Sequence, residues 1–240
     1  LRLRKGPEGT FIGDGQRVVR RMIAQGVVIK VLCTPEWIEK LPIPQGIDVV
    51  TTSRGRLNAI VGYSLHQGIM ALGRIPDPGP LKGSLLLALD GLSNAENVGG
   101  VMRSAAAFGV EGVLVGPGTA SPWLRRAVRV SLGAPLQVPV HFVDDLPAAL
   151  RPRNAWAAHI HGEHRAYTEV DLTQDICVVL GGEAGGVAPG TIAACRGVIY
   201  IPMAEGWDCL NVASSTAVLL SEVRRQRSEI HRPPFERQVK

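Results

Sequence analysis

The chain has 240 residues, of which 45% are hydrophobic and 20% charged, enough to bury a real core and unlike a disordered chain. No apolar run reaches the ~18 residues of a membrane span, and the opening LRLRKGPEG lacks the apolar stretch of a secretory signal, so a cytoplasmic protein is expected. The net charge of +5 admits a polyanionic partner, and four scattered cysteines without a C-x-x-C pair fit reduced thiols better than a disulfide frame or a zinc site.

In chain order, DGQRVVRRMIAQG places apolar residues at helical spacing and stops at Gly26, VVIKVLC is a buried strand, and PEWIEKL is a short helix. IDVV reads as a strand, SRGRLNAIVG as a marginal helix, and residues 66–74 as a last strand. Residues 1–74 therefore form a small α/β unit. It is basic, and Arg17, Arg20, Arg21 and Arg54 suit either solvated helix faces or a nucleic-acid surface. IPDPGPLKG, residues 75–83, resists both helix and strand and reads as a linker.

Beyond the linker, strand, loop and helix repeat through 84–228, followed by a basic tail at 229–240. Strands are expected at 84–89, 112–116, 138–143, 155–160, 176–181 and 198–202, and helices at 98–108, 122–132, 144–150, 189–195 and 211–228. This alternation predicts an α/β fold with a mostly parallel sheet covered by helices on both faces. Ligands in such folds sit beyond the carboxyl ends of the strands, which directs attention to three loops.

The first, DGLSNAENVGGVMR, has neither the dinucleotide nor the nucleoside-triphosphate glycine spacing. Asn97 can cap the helix that follows, and Gly99 and Gly100 let another segment approach closely. Arg103 on its first turns is either a structural ion-pair residue or a site residue. The second, VVLGGEAGGV, surrounds Glu183 with four glycines, more than a tight turn requires, and exposes backbone groups to a flat ligand. The third, YIPMAEGWDCLNVASS, ends at Asn211, which can cap a long helix.

NVGGVMR, GGEAGG and IPMAEGWDCLNV, in that order, resemble the three motifs of the SpoU-type (TrmH-like) RNA 2'-O-ribose methyltransferases of the SPOUT superfamily. The resemblance runs from about residue 11 to 223. It implies a C-terminal trefoil knot, S-adenosylmethionine as cofactor, tRNA or rRNA as substrate, a homodimer, and a front RNA-binding unit like a ribosomal protein. It also implies a catalytic set of Arg103, Asn97, Glu183 and Asn211, with Asn97 positioning Arg103 or the RNA and Glu183 holding the set by ion pairing. The cofactor would lie against Leu180, Gly181, Gly182, Glu183, Gly185, Ile201, Met203, Cys209, Leu210 and Asn211. Five positions depart from the family pattern: Asn94-Ala95 replaces Asp-Pro, Gly182 stands where Asn or Ser is common, and Cys209 and Ala213 stand where serine is common.

Arg125, Arg126 and Arg129 in WLRRAVRVSLGA could meet RNA phosphates or water, and Arg125 and Arg126 join the expected RNA surface. HIHGEH, residues 159–164, lacks a second ligand set of recognised spacing, so no metal site is expected. A non-catalytic RNA-binding or ribosome-assembly protein on the same fold is the alternative function, and a small-molecule enzyme is disfavoured by the basic front unit and the missing dinucleotide fingerprint.

Overall fold

The computed structural model describes residues 7–227 apart from 66, 161–163 and 184. The tail at 229–240 and His161 and Glu163 of HIHGEH thus lie outside the described residues.

The front unit is a four-stranded sheet in the order β1 (Thr10–Asp14), β4 (Ile69–Arg74), β2 (Val28–Cys33), β3 (Asp48–Thr51). β4 runs antiparallel to both β1 and β2, while β2 and β3 are parallel. Helix α1 (Gln16–Ala24) buries Val18, Val19 and Met22 on one face of this sheet. On the other, α2 (Arg54–Val61) buries Leu57 and Val61. One expectation changes here and one element is new. PEWIEKL forms only a 3-10 turn over Pro35–Trp37, because the run is too short to propagate an α-helix. TFIGD, which carried no prediction, is strand β1. Residues 75–84 form neither helix nor strand.

The second sheet has seven strands, all paired in parallel, in the order β7 (Val140–Phe142), β6 (Gly112–Val115), β5 (Leu85–Asp90), β10 (Ile176–Gly181), β8 (Ala155–Ala158), β11 (Gly197–Tyr200), β9 (Arg165–Ala166). Every expected strand is present, and the two-residue β9 adds an edge too short to show in the sequence. In β5 and β10 alternate side chains enter two cores. Leu85, Leu87, Leu89, Ile176, Val178 and Leu180 face one, and Leu86, Ala88, Cys177 and Val179 face the other. Strands buried on both faces must be apolar throughout, which is how LLLALD and ICVVLG read.

Helices α3 (Ala95–Ala107) and α7 (Val212–Gln226) pack together on the first core, and α5 (Leu146–Leu150) and α6 (Pro189–Ile192) contribute to the second. Strand order reverses at β5: the chain proceeds to β6 and β7 on one side, crosses to β8 and β9 on the other, and then inserts β10 between β5 and β8. Asp90 and Gly181, the last residues of β5 and β10, are register partners, so the loops after them open side by side at the carboxyl edge. That edge is where a parallel α/β sheet offers its crevice.

Helix α4 (Arg125–Val130) joins the two sheets. It packs on β1, Trp123 lies 4.9 Å from Phe11 between ring centroids, and Arg21 Nη1 donates to the Leu132 carbonyl at 2.7 Å. At this seam the buried Asp14 carboxylate meets Arg125 at 2.9 Å and Arg129 at 3.7 Å, and accepts from the Tyr63 hydroxyl at 3.2 Å. The Arg125 guanidinium also stacks on the Tyr63 ring at 4.1 Å. No described helix is long and apolar enough to cross a membrane.

Candidate active site

The first loop ends one turn earlier than its sequence suggests. Asn94, not Asn97, caps α3, its Oδ1 accepting from Glu96 N at 2.8 Å. The family's Asp at this position would cap equally well, so Asn94 leaves the helix start intact. With the helix already capped, the Asn97 side chain is released for other work.

That work connects all three loops. Asn97 Nδ2 donates to the Glu183 carboxylate in the glycine loop, and Asn97 Oδ1 accepts from Asn211 Nδ2 at 2.9 Å. Asn211 Oδ1 in turn accepts from Ala213 N at 2.9 Å and caps α7. A carboxylate can only accept when ionised, so Glu183 fixes which way the Asn97 amide faces, and that fixes Asn211. The expected ion pairing by Glu183 is not what holds this set together. Its carboxylate is bonded to Asn97, and Glu183 forms no salt bridge among the described residues.

Gly99 and Gly100 serve two different neighbours. A Cβ on Gly99 would stand 2.8 Å from the Ala127 carbonyl of α4, and one on Gly100 would stand 2.6 Å from Ala213 Cβ of α7. Consecutive glycines thus let α3 press against both helices at once.

Arg103 lies on α3, six residues and about 9 Å of helix rise beyond Asn97. It is exposed and has no hydrogen-bond or ion-pair partner among the described residues. Helical side chains tilt toward the N-terminus, which directs its long arm back toward the loop edge.

The second loop folds tightly on itself. A Cβ on Gly181 would lie 1.9 Å from the Gly186 carbonyl carbon, and Gly186 N donates to Gly182 O at 2.9 Å. Only glycine permits that crossing. The loop's exit is tied down by Asp90, whose Oδ2 accepts from Ala188 N at 2.8 Å. Asp90 carried no sequence prediction, although an acidic residue at the end of an apolar strand was a visible signal.

Behind these loops lies a cleft of ≈ 640 Å³. Its wall includes Leu180, Gly181, Gly182, Glu183, Gly185, Ile201, Met203, Cys209, Leu210 and Asn211, all ten residues expected at the cofactor. Sequence reasoning missed His159, Tyr200 and Asp208, which also line it. Arg103 and Asn97 do not line this cleft; Asn97 touches it through Glu183 and Asn211. Among the described residues no cluster of histidine, cysteine and carboxylates forms a metal-binding group, and His164 packs edge-on to Tyr200 with ring centroids 4.5 Å apart.

The six arginines expected at RNA divide sharply. Arg125 is 19% exposed and held by the Asp14 carboxylate, which removes it from the surface. Arg21 is bonded across the seam and Arg20 Nη2 donates to Lys40 O at 2.8 Å. Arg54 sits 3.6 Å from Glu36, and Arg126, 69% exposed, sits 3.3 Å from Glu96. Arg17 is exposed on α1 beside the seam.

The SpoU rRNA methylase family matches residues 84–221. The 23S rRNA (guanosine-2'-O-)-methyltransferase RlmB of Xanthomonas axonopodis pv. citri is 35% identical over 206 residues, 79% of this chain and 82% of its own. An uncharacterized tRNA/rRNA methyltransferase of Mycobacterium tuberculosis is 30% identical over 240 residues, covering 93% of this chain and 83% of its own. Among solved structures, a putative RNA methyltransferase of the TrmH family from Porphyromonas gingivalis superposes with a TM-score of 0.81 at 27% identity, covering 91% of each chain. The SpoU methyltransferase AviRb of Streptomyces viridochromogenes, in complex with AdoMet, shares the fold with a TM-score of 0.81 at 21% identity over 92% of this chain and 91% of its own. With three loop motifs meeting at one sheet edge and a family match over more than half its length, the chain belongs to the SpoU rRNA methylase family.

Proposed function

We propose that this protein transfers a methyl group from S-adenosylmethionine to a ribose 2'-hydroxyl of rRNA or tRNA. The observation that carries the reading is the bonded series Glu183, Asn97, Asn211, which draws the three family motifs around one cleft. The cleft suits the cofactor: its volume falls in the usual range for such ligands, with Leu180, Ile201 and Leu210 as apolar wall and glycine backbone as polar edge. S-adenosylmethionine supplies an electrophilic methyl on a sulfonium. Ile201, Met203 and Leu210 would hold it along the apolar wall of the cleft.

A guanidinium does not act as a base in proteins, so Arg103 serves as a fixed cation beside the ribose oxygen, whose proton passes to solvent water. Asn97 and Asn211 hold the loop edges in register so that the hydroxyl and the methyl meet at near-attack distance. The Arg126 and Arg129 side chains, 69% and 52% exposed on α4, and Arg17 across the seam form the surface for RNA phosphates. Their contacts would run from the α3 N-terminus, where Arg126 meets Glu96, onto the front unit. Family membership supports a C-terminal trefoil knot, with the glycine loop and residues 201–211 as the crossing segments, and a homodimer acting in the cytoplasm.

Calorimetry with S-adenosylmethionine, then label transfer to separated tRNA and rRNA fractions, tests the reading. Saturable binding and 2'-O-methylated nucleosides in the digest are expected. A chain that neither binds the cofactor nor labels either fraction overturns it.

A further inference from the structure

We propose that Trp207, flanked by Glu205 and Asp208, is the platform on which the target nucleobase stacks, and that this platform favours guanine. The inference rests on the ribose methylation argued above. Residues 204–211 are all exposed, and they join Met203 to Asn211, both in the cleft wall. Trp207 is 73% exposed, whereas Trp123 and Trp156 are 6% and 8% exposed in the core.

Its position is set by a turn. Trp207 N donates to Ala204 O at 3.1 Å, and Gly206 at φ 81° occupies the third turn position, where a type II turn needs a glycine. The indole is thereby held outside a cleft whose wall includes the very next residues, Asp208 and Cys209. A ribose presented to that cleft brings its base within one nucleotide's reach. A base drawn out of its stack needs a new π surface, which proteins supply with aromatic side chains.

Stacking alone accepts every base. The two carboxylates add selectivity, since ionised carboxylates only accept hydrogen bonds and repel phosphate. Guanine offers N1–H and the N2 amino group side by side, a donor pair matched to one carboxylate. Uracil offers one donor there, and adenine presents its amino group beside an acceptor. The cations lie elsewhere, on α4 and α1, which leaves the acidic turn to a base edge and the arginines to the backbone.

The test is tryptophan fluorescence of the full chain saturated with S-adenosylhomocysteine, titrated with the trinucleotides UGU, UAU and UUU. UGU should quench at about tenfold lower concentration than UUU, in keeping with the contribution of a stacked and hydrogen-bonded base. Trp207→Leu should abolish the quench, while Asp208→Asn with Glu205→Gln should keep it and erase the preference for UGU. A quench unchanged in Trp207→Leu, or equal quenching by the three trinucleotides, overturns the proposal. So does a Trp207→Leu chain that sediments as a smaller species than wild type without losing the quench, which makes the indole a subunit contact. Selective quenching by a protein that transfers no methyl group leaves the platform standing and sinks the catalytic reading instead.

Discussion

Asn97 Oδ1 accepts from Asn211 Nδ2 at 2.9 Å, a bond between residues 114 positions apart that closes the first motif onto the third. Because Asn94 caps α3 and Asn97 does not, Asn97→Ala should leave the fold nearly untouched, costing about 1–2 kcal/mol, the scale of the two exposed hydrogen bonds it removes. Methyl transfer should fall far more, by roughly a hundredfold, since both flanking loops lose their register. Asn97→Asp is the sharper variant. It places a second carboxylate against Glu183 and should raise the apparent pKa of that pair, so that activity recovers as pH is lowered. Thermal unfolding beside a pH–rate profile reads both effects, and an Asn97→Asp profile identical in shape to wild type contradicts the assignment.

Arg103 stands apart from the cleft wall and has no partner among the described residues. Arg103→Ala should therefore retain S-adenosylmethionine affinity within about threefold while losing ~100- to 1,000-fold in transfer, the scale seen when one stabilising donor is removed. Arg103→Lys should recover little, because a point charge does not replace a planar fork. Calorimetry and single-turnover labelling of RNA separate the two quantities. Full turnover by Arg103→Ala ends the catalytic assignment.

Much of this was legible in the sequence, and the boundary is physical. Doubly buried strands such as ICVVLG announce themselves by unbroken apolar runs, and the ten residues that the family resemblance implied at the cofactor all line one cleft. What the sequence hides is competition for a side chain. Asn94 and Asn97 are both good caps by residue type, and only the helix start at Ala95 decides between them. Arg125 and Arg126 are adjacent in WLRRAVRV, yet one is partly buried against Asp14 and the other is 69% exposed, because α4 turns successive residues to different sides. His159 and Tyr200 line the cleft through strand order, which no local pattern records.

Gly181 tests the self-crossing of the second loop. A methyl group placed 1.9 Å from the Gly186 carbonyl carbon meets backbone on a chain that has no slack to yield. Gly181→Ala should destabilise the protein by about 3 kcal/mol or more and abolish cofactor binding. Gly190→Ala on α6, where a Cβ meets nothing within 4 Å and which does not line the cleft, is the matched control and should bind normally. Equal melting temperatures for the two variants would contradict the crossing.

At the seam, Arg125 and Arg126 predict opposite phenotypes. Arg125→Ala leaves the Asp14 carboxylate, 5% exposed, with Arg129 at 3.7 Å as its remaining cation, and should cost about 3 kcal/mol. Arg126→Ala removes a surface pair with Glu96 and should cost less than about 1 kcal/mol. Affinity for RNA should respond the other way, Arg126→Ala weakening it and lowering the salt slope by roughly one unit. Denaturant titration and salt-dependent filter binding measure the two axes.

Tyr63 gives the same seam a pH signature. Its hydroxyl is pushed up to about 12, first by burial and then by the negative charge of Asp14, which it faces as a hydrogen-bond donor. The positive charges of Arg125 and Arg129 oppose that shift only partly. In the unfolded chain the phenol ionises near 10. Between about 10 and 12 the folded state therefore holds a proton the unfolded state has released. Stability contributed by the neutral phenol is complete below pH ~10 and declines as pH rises toward 12. Tyr63→Phe should be less stable than wild type at pH 8 by about one hydrogen bond, and the gap should narrow steadily above pH 10 because phenylalanine has no proton to lose. Urea midpoints of the two proteins from pH 8 to 11 measure the gap. A difference that stays constant or widens with pH would mean that Tyr63 does not keep its proton against Asp14.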